Sequence, residues 1–168
     1  MLEDYKKHCK EREEMGIPPL PLSAEQTADI VNLLKKEHQD NELLLHLLKE
    51  RVPAGVDDAA YVKAGFLSDL TKGETESPYI SKEDAVAILG TMLGGYNIQP
   101  LIDCLEIEGL ADDAATALSN TLLIFDAFND IYELSKTNEH ARTVIDSWAN
   151  AEWFTSCLLY TSDAADEV

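Results

Sequence analysis

Two residue types in this chain could hold a metal or act as nucleophile and base. The thiols are Cys9, Cys104 and Cys157, and the imidazoles are His8, His38, His46 and His140. A zinc or iron–sulfur centre needs several such ligands converging, which a sequence announces as short Cys-x-x-Cys or Cys/His spacings. Here the cysteines are odd in number and far apart, the histidines are scattered, and His8 and Cys9 are neighbours, an arrangement that rarely chelates one ion. The thiols therefore read as reduced side chains, with no disulfide framework. His46, set among Leu43, Leu44, Leu45, Leu47 and Leu48, reads as a half-buried, hydrogen-bonded histidine rather than a catalytic base.

Carboxylates are plentiful, and Glu13-Glu14, Asp57-Asp58 and Asp112-Asp113 suggest acid/base couples or calcium ligands. Neighbours on a helix point in different directions, and no loop of alternating oxygen ligands with a central Gly and a terminal Glu is present. They read as solvated faces and helix starts, where Asp112-Asp113 would meet the positive end of the helix dipole. The glycine-rich run from Gly90 through Gly94-Gly95-Tyr96-Asn97 suggests a phosphate cradle. It has neither the Lys-Ser/Thr ending nor the GxGxxG order of one, and it follows a helix rather than a strand. A helix end and a tight turn into the next helix, opened by Asn97 and Pro100, is the better reading. Tyr96 and Asn97 are left as candidate partner-facing residues. Ser119 and Ser147 stand in no GxSxG elbow. Trp148, Trp153 and Phe154 form an aromatic cluster that either packs in the core or waits at the surface for further protein, which makes Trp153 a third candidate interface residue.

The elements that would position these residues are helices. Apolar residues recur at steps of three and four in six stripes: Ala24, Ala28, Val31, Leu34; Ala59, Val62, Phe66, Leu70; Ala85, Ile88, Leu89, Met92; Ile98, Leu101, Ile102, Leu105; Leu118, Leu122, Phe125, Phe128, Tyr132; and Ala141, Val144, Ile145, Trp148. Strand-like alternation is nearly missing, so the fold class is all-α. The charged opening segment, Leu2 to about Met15, reads as an exposed helix. Pro18-Pro19-Leu20-Pro21 is a stiff connector, Ser23 with Gln26 has capping-box spacing, and Ser81 with Asp84 offers a weaker version. Pro53-Ala54-Gly55, Lys72-Gly73, Pro78 and Glu108-Gly109 punctuate the rest. About eight helices in stacked antiparallel hairpins are expected, with Leu44–Leu70, Ala85–Leu105 and Ala114–Trp148 as units of a HEAT-like rhythm. No strict period survives, so a compact irregular bundle competes with an α-solenoid.

Composition bounds the function. The 168 residues, 45% of them hydrophobic, suit one globular domain. Lys plus Arg number 13 against 32 Asp plus Glu, a formal charge of -19, so a nucleic acid would meet repulsion rather than counterion release. Apolar runs such as Leu122-Leu123-Ile124-Phe125 fall far short of the roughly 20 residues that cross a bilayer. The charged N-terminus lacks the pattern of a secretory signal or transit peptide, which makes the cytoplasm the expected compartment.

Several blocks then resemble one family. Met1-Leu2-Glu3-Asp4-Tyr5, Arg51-Val52-Pro53-Ala54-Gly55-Val56-Asp57, Ala60-Tyr61-Val62-Lys63-Ala64-Gly65-Phe66-Leu67, Leu89-Gly90-Thr91-Met92, Gly94-Gly95-Tyr96-Asn97-Ile98, Pro100-Leu101-Ile102-Asp103, Ala117-Leu118-Ser119 and Ser147-Trp148-Ala149 with Ala151-Glu152-Trp153-Phe154 are similar to the N-terminal HEAT-like domain of bacterial aconitate hydratase B. The resemblance spans residues 1–154. It implies a parent lyase that interconverts citrate and isocitrate through cis-aconitate in the tricarboxylic acid cycle, and also dehydrates 2-methylisocitrate, with a [4Fe-4S] cluster whose ligands lie in later domains. It implies no catalytic, cofactor-binding or metal residue in this segment, since Cys9, Cys104 and Cys157 do not match the ligand motif. The segment's own role would be accessory: packing on the catalytic domains of the same chain, shaping access to the active site, and association, including a possible homodimer. The family is also described as binding messenger RNA when its cluster is lost, which this acidic segment does not itself suggest.

Residues 155–168 depart from the family. The run Cys157-Leu158-Leu159-Tyr160-Thr161-Ser162-Asp163-Ala164-Ala165-Asp166-Glu167 resembles the in-frame translation of a transposase adapter used in sequencing libraries, so the tail is expected to be non-native. Its removal takes away three acids and no base, and the acidic reading stands. The alternative to a truncated enzyme domain is a free-standing helical-repeat adaptor that binds protein through a concave face or the Tyr96 and Trp153 regions. A small-molecule sensor has no polar constellation to support it.

Overall fold

The computed structural model describes residues 1–93, 95–121 and 127–151. Among these residues every regular element is a helix: α1 (Leu2–Glu14), α2 (Ala24–Leu34), α3 (Asn41–Glu50), α4 (Asp58–Lys72), α5 (Lys82–Gly90), α6 (Ile98–Cys104), α7 (Ala111–Ser119), α8 (Phe128–Leu134) and α9 (Glu139–Ala149). The fold is all-α, as the apolar spacing requires.

Local chemistry sets the helix ends. At α2 and α5 the Ser23–Gln26 and Ser81–Asp84 capping boxes are both complete, each serine accepting from the backbone N–H three residues on while that residue's side chain accepts from the serine N–H. The second box is therefore as fully formed as the first. Asn138 caps α9 by accepting from the Ala141 N–H, and its Nδ2 donates to the Leu105 carbonyl, which ties α9 to the end of α6. Gly73 closes α4 in the left-handed conformation at φ 74°, a place glycine occupies without steric cost. Pro100 falls in the first turn of α6, where a missing N–H is tolerated.

Packing follows chain order. α2 pairs with α3, α4 with α5, α6 with α7 and α8 with α9; α2 on α4, α5 on α7 and α7 on α9 then join one pair to the next. Contact thus runs between neighbouring pairs, as it would in stacked hairpins. The phase differs from the sequence reading, because α3 takes α2 rather than α4 as its principal partner. The core is continuous from Leu22 to Val144 and includes Ile30, Leu34, Leu44, Leu48, Leu67, Leu89, Leu101, Leu118 and Ile131. α1 is largely exposed, as expected, but Tyr5 is buried: its hydroxyl donates to the Leu20 carbonyl at 3.0 Å and accepts from Arg51 Nε at 3.2 Å. Arg51 also donates to the carbonyls of Pro19 and Leu20, which fixes the proline connector against α3.

One expectation is corrected. A single helix from Leu118 to Tyr132 does not form, because α7 ends at Ser119, Asn120 is its C-cap, and Thr121 lies outside any helix with its hydroxyl donating to the Ala117 carbonyl. In α8 the buried residue is Ile131, while Phe128 and Tyr132 are exposed.

Candidate functional site

The α5–α6 junction is built around Asn97. It stands at the N-cap of α6 but makes no side-chain cap there. Its side chain turns back instead, and Nδ2 donates to the Leu89 carbonyl at 2.9 Å, which also accepts from the Met92 N–H, and to the Met92 carbonyl at 3.3 Å, bracing the end of α5. Asn97 is wholly buried, and its Oδ1 has no protein partner. Asn97, expected as a candidate interface residue, has its amide committed to the protein's own backbone. Tyr96, next to it, is 38% exposed and meets Tyr61 edge to face with ring centroids 5.1 Å apart.

The same junction lies against the α3–α4 connection. Gly95 has φ 90°, and a Cβ placed there would come within 3.0 Å of Val56 Cγ1 and 3.4 Å of the Gly55 carbonyl oxygen, so only glycine suits both the backbone and the close approach. Around this contact Val56, Tyr61 and Leu93 are exposed at 72%, 63% and 74%. Val56, Tyr61 and Tyr96 lie where the two loops and the first turn of α4 meet, and Leu93 is exposed on the second of these loops. Sequence reasoning found Tyr96 and missed the other three. Their signal was negative, since Val56, Tyr61 and Leu93 are large apolar residues that fall off the core stripes.

A second aromatic group lies on α8 and α9. Phe128 stacks on Tyr132 at 6.3 Å and on Trp148 at 6.1 Å, and the Trp148 indole N–H donates to the Leu118 carbonyl at 3.2 Å. Trp148 is therefore half core and half surface. Trp153 and Phe154, expected to complete the cluster, lie outside the described residues, as does the 155–168 tail.

Among the described residues the thiols and imidazoles form no ligand cluster. Cys104 is buried in α6, and burial pushes its thiol up, away from the reactive thiolate. Cys9 is half-buried on α1, and Cys157 is outside the described residues. His8 Nε2 accepts from the Leu20 N–H, His38 Nδ1 accepts from the Asp40 N–H, and His140 lies 3.0 Å from Asp112. His46 is exposed, not half-buried as its leucine-rich surroundings suggested. It lines a groove of about 460 Å³ between α1 and α3 with Leu2, Cys9, Lys10, Leu47 and Arg51. Among the described residues no group of three His, Cys, Asp or Glu could hold a metal ion, and the two described cysteines lie on separate helices, α1 and α6. The described residues do not fit an iron–sulfur cluster.

Two ionisable groups shape the interior. Lys63, 3% exposed on α4, directs Nζ toward the Lys49 carbonyl at 3.4 Å; burial holds its pKa below the ordinary value, and the nearby Glu50 only partly offsets this. Lys72 of α4 pairs with Asp103 of α6 at 2.8 Å. Burial pushes the Asp103 carboxyl up, but hydrogen bonds from Lys72 and Gln99 outweigh it and hold the group below its ordinary value, while Lys72 is held above its own.

Fold and surface together define an all-α domain whose distinguishing features are exposed apolar faces rather than a cluster of reactive groups. The aconitate B N-terminal domain family matches over residues 4–154, and the chain belongs to that family. It is 57% identical to aconitate hydratase B of Salmonella typhimurium over 158 residues, 56% identical to that of Escherichia coli over 156, and 54% identical to that of Synechocystis sp. over 157. These alignments cover 93%, 92% and 92% of this chain, respectively. The chain spans only 18% of the length of each relative. No helix among the described residues is long and apolar enough to cross a membrane.

Proposed function

We propose that this chain is the N-terminal accessory domain, HEAT-like in its stacking, of a cytoplasmic aconitate hydratase B. The parent is a lyase that interconverts citrate and isocitrate through cis-aconitate and dehydrates 2-methylisocitrate. The observation that carries the reading is the family match across residues 4–154 of a chain that spans 18% of its relatives. The domain packs on the catalytic domains of the same chain, helps shape access to their active site, and offers surface for association, a homodimer included. The [4Fe-4S] cluster of the parent is held by later domains, since Cys9 and Cys104 here do not suit it. In this reading residues 1–154 are the domain and 155–168 are foreign to it.

The test compares the full-length protein with this chain after both are treated with iron and sulfide. The full-length protein is expected to turn over citrate, and this chain alone is expected not to. Turnover by this chain would place the chemistry in the wrong domain. Sequencing the source DNA across codon 154 tests the boundary: a frame that continues in place of the tail supports it, and a genuine stop after residue 168 removes it. The exposed apolar residues Val56, Tyr61, Leu93 and Tyr96 favour one second reading, a free-standing protein-binding adaptor, which that stop would bring forward.

A further inference from the structure

We infer that the groove between α1 and α3 binds a monoanionic amphiphile, a straight apolar chain ending in a carboxylate. The groove exists because α1 stands apart from the principal helix pairings. Polar contacts to the proline connector and α3 hold it instead. The Tyr5 hydroxyl donates to the Leu20 carbonyl and accepts from Arg51, His8 accepts from the Leu20 N–H, and Arg12 donates to the Pro18 carbonyl. A helix braced in this way, rather than by interlocking apolar side chains, leaves room beneath it. The space is about 460 Å³, within the range of roughly 300–1,000 Å³ typical of small-molecule sites. Leu2, Tyr5, Leu43 and Leu47 give it apolar walls.

Charge selects the ligand. Lys plus Arg number only 13 in the chain, yet Lys6, Lys10 and Arg51 all line this one groove, where His46 also lies and Glu13 is the opposing acid. Lys6 is shared with Glu3 and Asp40. Arg51 directs its hydrogen bonds to neutral acceptors, the Tyr5 hydroxyl and the Pro19 and Leu20 carbonyls. Among the described residues no ion pair neutralises Arg51 or Lys10. Unmatched cations beside apolar walls suit a ligand that sets a carboxylate at the rim and its chain in the groove. The chain's other acids act over a screening length of roughly 8 Å at physiological ionic strength, so one carboxylate placed among these cations meets mainly the local charge. A polyanion, or an acidic peptide reaching beyond the groove, would meet the rest of a molecule of charge -19.

The experiment uses the full-length protein and the neutral thiol reagent N-ethylmaleimide, with labelling of the Cys9 peptide followed by mass spectrometry. Cys9 lines the groove and is half-buried, so it reports occupancy there. Octanoate below its micelle concentration is expected to slow labelling, with 1-octanol weaker and octyltrimethylammonium weaker still. Decanoate should act at a lower concentration, since each methylene the groove covers tightens binding by up to about fourfold. Lys10→Glu exchanges an exposed attraction for a repulsion and should raise the half-protecting octanoate concentration by roughly threefold to tenfold. Lys7→Glu makes the same charge change on α1 away from the groove lining and should leave that concentration unchanged. No protection of Cys9, protection by 1-octanol equal to that by octanoate, or equal shifts from the two variants overturns the inference. A Cys9 closed to the reagent before octanoate is added overturns it too, because the groove is then covered by other protein.

Discussion

Asn97 and Tyr96 are adjacent in sequence and opposite in role, which makes them a sensitive test of what holds the α5–α6 junction. Asn97→Ala removes the Nδ2 that donates to the Leu89 and Met92 carbonyls; Leu89 keeps its bond from the Met92 N–H while the Met92 carbonyl loses its side-chain donor, so a loss of about 1–3 kcal/mol is expected in urea denaturation. Tyr96→Ala removes a half-exposed ring and its contact with Tyr61, and a cost of under about 1 kcal/mol is expected. Equal losses from the two variants would mean that Asn97 does not organise the junction. Lys63 supplies the pH-dependent counterpart. A lysine whose pKa is lower in the folded state favours unfolding while it is protonated, so its penalty is full at neutral pH and fades as pH rises through the folded pKa toward the ordinary value near 10.5. Lys63→Met fills a similar volume without the buried charge. The stability gained by this variant over the parent sequence is expected to be largest near pH 7 and to shrink toward about pH 10. A gap that stays constant with pH would show that the amine is no more desolvated in the fold than out of it.

At the scale of elements, α5 and α7 approach closely at Gly90, where a Cβ would lie 2.9 Å from Ala117 Cβ. Alanine is the better helix former by roughly 1 kcal/mol, yet Gly90→Ala is expected to destabilise by about 1–3 kcal/mol, because α5 and α7 must separate to admit the methyl group. Adding Ala117→Gly should recover part of that loss in a double-mutant cycle; no coupling between the two changes would mean that the helices do not meet there. Sequence alone showed the helices because caps and glycine ends act locally: Ser23–Gln26, Ser81–Asp84 and Gly73 specify their turns whatever packs against them. It did not show the pairing phase, since Pro53-Ala54-Gly55 looks the same whether it joins two helices of one hairpin or one hairpin to the next. The end of α7 was hidden by apolar residues that continue at helical spacing past Asn120 and Thr121, where side-chain hydrogen bonds to the backbone at 116 and 117 accompany the exit from the helix. The Tyr61–Tyr96 contact was least legible of all. Tyr61 and Tyr96 belong to different helix pairs, and only the fold brings their rings within 5.1 Å.

For the molecule as a whole, the charge of -19 has a consequence that the ion pairs cannot cancel. Lys6–Glu3, Lys7–Glu11 and Lys136–Glu133 are exposed pairs within one or two turns of a helix, and such pairs contribute little to stability. Of the cation–carboxylate pairs between described helices, Lys72–Asp103 joins α4 to α6, and most of the described carboxylates make no ion pair. The folded chain therefore carries net self-repulsion that salt should relieve. Raising NaCl from about 10 mM to about 100 mM shortens the screening length from roughly 30 Å to roughly 10 Å. If this returns about 1 kcal/mol, Tm should rise by about 2–4 °C at this chain length. A flat or falling Tm would show that the local pairs outweigh the repulsion.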